Sequence, residues 1–345
     1  MLNSLTIRGF RCFSELHVEP LTRVNLFVGK NGSGKTSLLE AAELVAIGGI
    51  EGLARSAARR REQILPRSDN GEEYKEHVID PSHLFFGHDL RVGKSFKIEG
   101  LGKGWVKCTV EQASERDSVI WLLRLESHAT AQRNTDEALS ISPSGGVLPP
   151  PRRMTESNSP VNFLKAEGID TLALIQLWDQ VVLTPEYESV IAALKIIEPR
   201  VDRIAFLGGG RSSSPTISVK LLGMERGLPL STLGGGMEHL FALALHLSSA
   251  QRGFLLVDEI DTGLHYTVMV DMWRLVVETA NRLNVQVLAT THSLDCVRAL
   301  ARLRNKYPEI AEAVTVHRVD KEASKTVVYD MDEIVIAAEG HIEVR

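Results

Sequence analysis

Eight residues, Gly29-Lys30-Asn31-Gly32-Ser33-Gly34-Lys35-Thr36, constrain this chain more than any other stretch. They fit the pattern G-x-x-x-x-G-K-[ST]. The apolar run Val24–Val28 precedes them, and the strong helix former Ser37–Leu44 follows. A strand, a glycine-rich turn and a helix start, in that order, are the context in which this pattern binds phosphate. The glycines let backbone N–H groups curl around a phosphate chain, and the helix start adds free N–H groups and a favourable dipole. Lys35 is placed to reach terminal phosphates, and the Thr36 hydroxyl to hold Mg2+. Gly29, Asn31, Gly32, Ser33, Gly34, Lys35, Thr36 and Ser37 therefore form the expected cradle for a nucleoside triphosphate.

A second half of the site is expected from Phe254-Leu255-Leu256-Val257-Asp258-Glu259, four apolar residues followed by two carboxylates. Such a run suits a central parallel strand buried on both faces. Its C-terminal end is where open α/β sheets place ligands. Asp258 would complete the Mg2+ shell with Thr36, directly or through a water. Glu259 would face the terminal phosphate and polarise the attacking water. Val287–Ser293 closes the next strand, so His292 is expected at the same sheet edge, touching the γ-phosphate or orienting the water. Upstream, Gly234-Gly235-Gly236 opens the apolar helix Leu240–Leu245. This second anion-ready helix start suggests a site completed between two subunits.

The bulk composition excludes several classes. The 345 residues carry a formal net charge of −5, so no global basic field attracts nucleic acid, and any DNA contact needs a local patch. The candidate patch is Arg55, Arg59, Arg60 and Arg61, which either meets phosphates or is a solvated helix face. Cys12, Cys108 and Cys296 have no metal-ligand spacing and read as buried small hydrophobes in a reducing cytoplasm. No leader pattern and no bilayer-length apolar run is seen, so a cytoplasmic chain with no membrane partner is expected.

The organisation read along the chain is one domain, 1–345. A phosphate-loop lobe spans 1–50, an Arg-rich helical insertion 51–82 and a β subdomain 83–126. A Ser/Thr/Pro/Gly-rich stretch at 127–165 reads as a flexible loop. A helical lobe with strands follows at 166–230, including a turn at 208–214. The acidic and histidine strands occupy 231–304, and a closing hairpin 305–345. Strand, helix and strand around Asp258 and His292 imply a parallel crossover unit.

These motifs, in this order, resemble the ABC-type P-loop ATPase head, and more closely the RecF/SMC/OLD (overcoming lysogenization defect) group than transporters. The start Leu5-Thr6-Ile7-Arg8-Gly9-Phe10-Arg11-Cys12-Phe13 is similar to the I-x-x-F-R-x-F opening of that group. Gly234 stands where transporters carry the signature serine, with Ser231 nearby, and His265 stands where many ABC proteins carry an Asp. The resemblance implies an α/β fold: a mixed parallel sheet core, an antiparallel β subdomain and a helical lobe. It implies ATP and Mg2+ as ligands, and a homodimer or higher oligomer with ATP between the phosphate loop of one head and Gly234–Gly236 of the other. It places Arg11 or Phe13 near the adenine. It also implies DNA repair or anti-phage defence with a separate nuclease or effector subunit, since no Toprim nuclease region fits this sequence. The other readings are a transporter's nucleotide-binding subunit and an ATP-sensing scaffold that does not hydrolyse.

Overall fold

The apolar run before the phosphate loop forms a strand with all five residues buried, as a central parallel strand requires. Its one polar member, Asn25, is fully buried and satisfied. Its amide donates to the Thr22 and Val287 carbonyls at 2.9 and 3.2 Å, and its Oδ1 accepts from the Thr22 N–H at 2.8 Å. The computed structural model describes residues 1–60, 63–64, 78–115, 118–129, 134–142, 146–147, 160–166, 171–207 and 216–345.

The elements begin with β1 (Ser4–Phe10), β2 (Phe13–Val18), β3 (Val24–Val28), α1 (Lys35–Ile47) and α2 (Gly49–Arg60). Then come β4 (Gln63–Ile64), β5 (Val78–Ile79), β6 (Ser95–Leu101), β7 (Gly104–Glu115), β8 (Ser118–Ala129), β9 (Thr135–Ile141) and β10 (Val161–Leu164). The next elements are α3 (Thr171–Val181), α4 (Glu186–Lys195), β11 (Val201–Leu207), β12 (Thr216–Leu221), β13 (Leu228–Pro229), α5 (Gly235–Ser249) and β14 (Phe254–Val257). The chain closes with α6 (Met269–Leu283), β15 (Gln286–Thr291), α7 (Leu294–Lys306), α8 (Pro308–Ala311), β16 (Val314–Arg318), β17 (Val327–Tyr329) and α9 (Met331–Glu339).

Two units share these elements. The first comprises Met1–Leu21, Asn31–Asn158 and Val319–Val327. Its antiparallel sheet runs β2-β1-β6-β7-β8-β9, and α1 packs on β6, β7 and α2. Helix α1 is buried on nearly every side, which its run of Leu, Ala and Val permits. The second unit comprises Thr22–Lys30, Ser159–Arg318 and Val328–Arg345. Its main sheet runs β10-β14-β15-β3-β16-β17, and β11-β12-β13 form a smaller sheet beside the helices. Strands β14 and β15 are parallel neighbours joined through α6, as the crossover reading expects. Trp273 on α6 is fully buried, with its indole N–H donating to the Cys296 carbonyl at 3.1 Å. The mixed α/β class, with a parallel core sheet and an antiparallel subdomain, is thus the architecture observed.

Three expectations need correction. The stretch 127–165 is not one loop among its described residues. Strand β8 continues to Ala129, β9 pairs with it antiparallel, and β10 pairs parallel with β14. Strand β9 alternates half-buried and exposed residues, so its polar composition concealed a sheet edge. Strand β10 has only four residues, too few for a periodic signal. The segment 305–345 is not a simple hairpin: β16 pairs parallel with β3 in the core sheet, and α9 follows. Helix α9 is opened by a capping box, with the Asp330 carboxylate accepting from the Asp332 and Glu333 N–H groups and the Glu333 carboxylate from the Asp330 N–H. The β subdomain also extends past residue 126, with β9 as its edge strand. Arg61, residues 66–77 and the turn at 208–214 lie outside the described residues.

Cys108 and Cys296 are buried and Cys12 half-buried, all as free thiols. Burial pushes the thiols of Cys108 and Cys296 well up, which suits inert packing. No described helix is long and apolar enough to cross a membrane.

Candidate nucleotide site

The phosphate loop leaves β3 at Gly29 and enters α1 at Lys35. Gly34 caps that helix with φ 97°, a left-handed conformation that favours glycine. A Cβ there would lie 2.4 Å from Phe13 Cζ and 2.7 Å from Cys12 Sγ. Phe13 is fully buried, so its ring is a floor beneath the loop. Helix α1 has no side-chain cap and no acid in its first turn, the arrangement that favours an incoming anion. Ser33, Lys35 and Ser37 are buried, Gly34 and Thr36 half-buried, and Asn31 and Gly32 exposed.

Arg11 is likewise drawn inward. It is 4 % exposed, with Nε 2.6 Å from Glu40 Oε2. Its Nη2 donates to Ser56 Oγ at 3.1 Å and its Nη1 to the His83 carbonyl at 3.3 Å. The arginine run is drawn into the same network. Arg60 donates to Glu40 Oε1 at 2.7 Å and to Ser37 Oγ at 3.2 Å, and Arg59 donates to Glu43 at 2.5 Å. Arg55 forms an i,i+4 pair with Glu51. Glu40 and Glu43 on α1 are buried, and a buried carboxylate is tolerated only with cations at hand. Burial pushes the Glu43 carboxyl upward while Arg59 opposes it. Arg59 and Arg60 therefore fasten α2 to α1. The sequence showed the arginines but not the carboxylates opposite them.

The acidic edge lies within the second unit. Register places Val257 beside Ala289 and Thr291 beside Val28, so Asp258, Glu259, His292 and Gly29 all follow strand ends at one edge of the sheet. The Glu259 carboxylate lies in direct contact with His292 Nδ1 there, with His292 the more exposed partner. Glu259 has φ 56°, uncommon for a residue with a side chain. Thr290 Oγ1 donates to Asp258 Oδ1 at 2.7 Å and accepts from the Glu259 N–H at 2.9 Å. Thr291 Oγ1 donates to Asp261 Oδ1 at 2.6 Å and accepts from the Ser293 N–H at 2.9 Å. Arg345 Nη1 donates to the His292 carbonyl at 2.6 Å. Sequence reasoning named the carboxylates and the histidine. It missed Thr290, Thr291, Asp261 and Arg345, whose only signal was the doubled threonine before His292.

The glycine-rich helix start meets the same edge. A Cβ on Gly236 would lie 2.5 Å from the Gly263 carbonyl, so the helix backbone rests directly on the segment after Glu259. One turn on, the buried His239 donates its Nε2–H to the Ile260 carbonyl at 3.0 Å, and burial holds its pKa below the usual histidine value. Gly234 and Gly235 are exposed, with open space where a Cβ would stand. Ser231 is exposed in the short 3-10 turn just before them. His265 is exposed, its Nδ1 2.9 Å from Thr267 Oγ1. Gly236→Ala should therefore destabilise the fold by about 1–3 kcal/mol, since backbone must shift to admit the methyl. Gly235→Ala should leave stability unchanged. Denaturant unfolding of the two variants checks the contrast.

Comparison with known proteins extends this picture. Residues 4–142 match a family described as "AAA domain", and residues 195–296 match one described as "AAA domain, putative AbiEii toxin, Type IV TA system". The DNA replication and repair protein RecF of Heliobacterium modesticaldum is 30 % identical over 188 residues, 52 % of this chain and 48 % of the relative. The chain thus matches about half the length of that relative. RecF of Idiomarina loihiensis is 47 % identical over 47 residues, 14 % of this chain and 13 % of the relative. An ATP/GTP phosphatase of Helicobacter pylori is 20 % identical over 336 residues, 87 % of each chain. Among solved structures, an Smc head bound to the C-terminal winged-helix domain of ScpA superposes with TM-score 0.52 at 15 % identity, over 96 % of this chain and 99 % of the other. The Pyrococcus furiosus Smc head gives TM-score 0.52 at 13 % identity, over 99 % of each chain. Fold, loop, acidic edge and matched regions together make this chain similar to P-loop ATPase domains and to part of RecF, with the fold of an SMC head.

Proposed function

We propose that the chain binds ATP with Mg2+, hydrolyses it, and uses the cycle as a dimeric switch. The observation that carries this reading is the Glu259–His292 pair at the sheet edge where β3 releases the phosphate loop. Backbone groups of Gly29, Asn31, Gly32, Ser33 and Gly34, with the Ser37 hydroxyl, cradle the phosphates, and Lys35 meets the terminal ones. The Thr36 hydroxyl and Asp258 carboxylate would hold the metal; both are the hard oxygen donors that Mg2+ takes, and the ion would neutralise phosphate charge. Glu259 takes a proton from water as the water oxygen bonds to the γ-phosphorus. The bond from that phosphorus to the β–γ bridging oxygen breaks, leaving ADP and phosphate. His292 holds the Glu259 carboxylate in place through Nδ1 and, when its ring is protonated, offers its second N–H to the developing charge.

Gly234, Gly235 and Gly236 of one protomer face the nucleotide held by its partner. The open, exposed position of Gly234 and Gly235 supports this. The likeness to RecF, a replication and repair protein, and to the AbiEii toxin–antitoxin description supports a place in DNA repair or anti-phage defence, acting with a separate nuclease or effector. DNA enters this reading through the RecF likeness.

Light scattering on Glu259→Gln tests the switch. Addition of Mg-ATP should double the molar mass of the protein. A mass that ATP does not change, with ATP bound, would rule out the ATP-driven dimer.

A further inference from the structure

The doubled threonine at the end of β15 is the feature that the nucleotide reading leaves unused. Register sets Thr290 beside position 258, one step past the Val257–Ala289 pair, so the two side chains share a sheet face. Thr291 points the other way and serves Asp261. Thr290 is fully buried, and its hydroxyl has one proton to give. That proton goes to Asp258 Oδ1 at 2.7 Å, and the same oxygen accepts the Glu259 N–H at 2.9 Å. The Thr290 carbonyl also accepts the Ile260 N–H at 3.0 Å. One residue thus brackets Glu259 on both sides.

That bracket matters because Glu259 sits at φ 56°. A side-chain-bearing residue persists there only when its surroundings over-determine it. The Glu259 carbonyl is held in turn by the N–H and hydroxyl of Thr262, at 3.0 and 2.8 Å. Removing the Thr290 hydroxyl leaves the Glu259 N–H without that partner and takes one hydrogen bond from Asp258.

We propose that Thr290 is a positioning residue, fixing the Asp258 carboxylate and the Glu259 backbone to each other through a single hydroxyl. It touches neither nucleotide nor water and acts through the two acids. The inference rests on the assignment of Asp258 and Glu259 to metal and water, and chemistry that depends on two separate carboxylates suffers when their relative aim loosens.

Thr290→Val keeps the branched shape and deletes the hydroxyl, and Thr290→Ser keeps the hydroxyl. Thr290→Ala stands in if the valine variant does not fold. Three quantities are read: steady-state kcat, the Kd of a fluorescent ATP analogue, and amide exchange of the 254–262 segment without nucleotide or metal. Thr290→Val should lower kcat by about tenfold or more, the loss expected for a hydrogen bond to a charged group. Its Kd should stay within about twofold. Exchange at Glu259 and Ile260 should quicken, and serine should restore both rate and exchange. An unchanged kcat in a folded Thr290→Val, a Kd loss equal to the kcat loss, or no rescue by serine would overturn the proposal. Glu259→Gln is measured beside them. If it hydrolyses at the wild-type rate, the carboxylate assignment itself falls; if it is inactive while Thr290→Val is normal, only the positioning role falls.

Discussion

Glu259→Gln should slow ATP hydrolysis by about a hundredfold or more while leaving ATP binding intact, the range expected when a positioned general base is lost. The amide matches the carboxylate in size, and its oxygen can still accept the His292 N–H, so the sheet edge keeps its shape. What it loses is the capacity to take a proton from water. Phosphate release under saturating Mg-ATP measures the rate, and titration with a fluorescent ATP analogue measures affinity. Wild-type turnover would remove Glu259 as the base. Loss of binding together with rate would make it a structural acid.

Lys35→Ala should weaken nucleotide binding by about tenfold to a hundredfold. A charged hydrogen bond contributes about 1.5–3 kcal/mol, and every 1.4 kcal/mol is tenfold in affinity. Lys35 is only 7 % exposed at the first residue of α1, so its ammonium is held where the helix start already favours anions. Lys35→Arg should not restore affinity, because a planar fork does not reproduce a compact point charge in a confined loop. Calorimetric titration with ATP gives the affinities, and matching melting curves exclude unfolding. Binding by Lys35→Ala at wild-type strength would displace the loop as the phosphate site.

The parts legible from sequence share one property: their signal is local. The phosphate loop is eight consecutive residues with a strand before and a helix after. The apolar run into Asp258 and Glu259 reads as a buried strand by itself, and so does the run into His292. Their order along the chain, together with parallel strand logic, was enough to bring Glu259 and His292 to one sheet edge. Helix α9 was equally legible in principle, since Asp330 and Glu333 form a capping box before an apolar run, but the adjacent strand signals drew the reading toward a hairpin.

The parts that were not legible depend on what lies opposite in space. Arg11 looked available for a base, and Arg59 and Arg60 for DNA, until Glu40 and Glu43 were found facing them from α1. Short or polar strands such as β10 and β9 exist only because β14 and β8 complete their hydrogen bonds.

By itself, then, the sequence determined that the chain carries a phosphate loop, a paired acidic strand end and a following histidine in an α/β order. Backbone conformation and apolar burial write those features into neighbouring residues. Only the tertiary structure decided which polar groups are spoken for: Phe13 beneath Gly34, Gly236 against Gly263, the arginines on α1, and Thr290 between Asp258 and Glu259. The reason is physical. A buried polar or charged group must find its partner across the fold, and that partner lies at no fixed spacing along the chain.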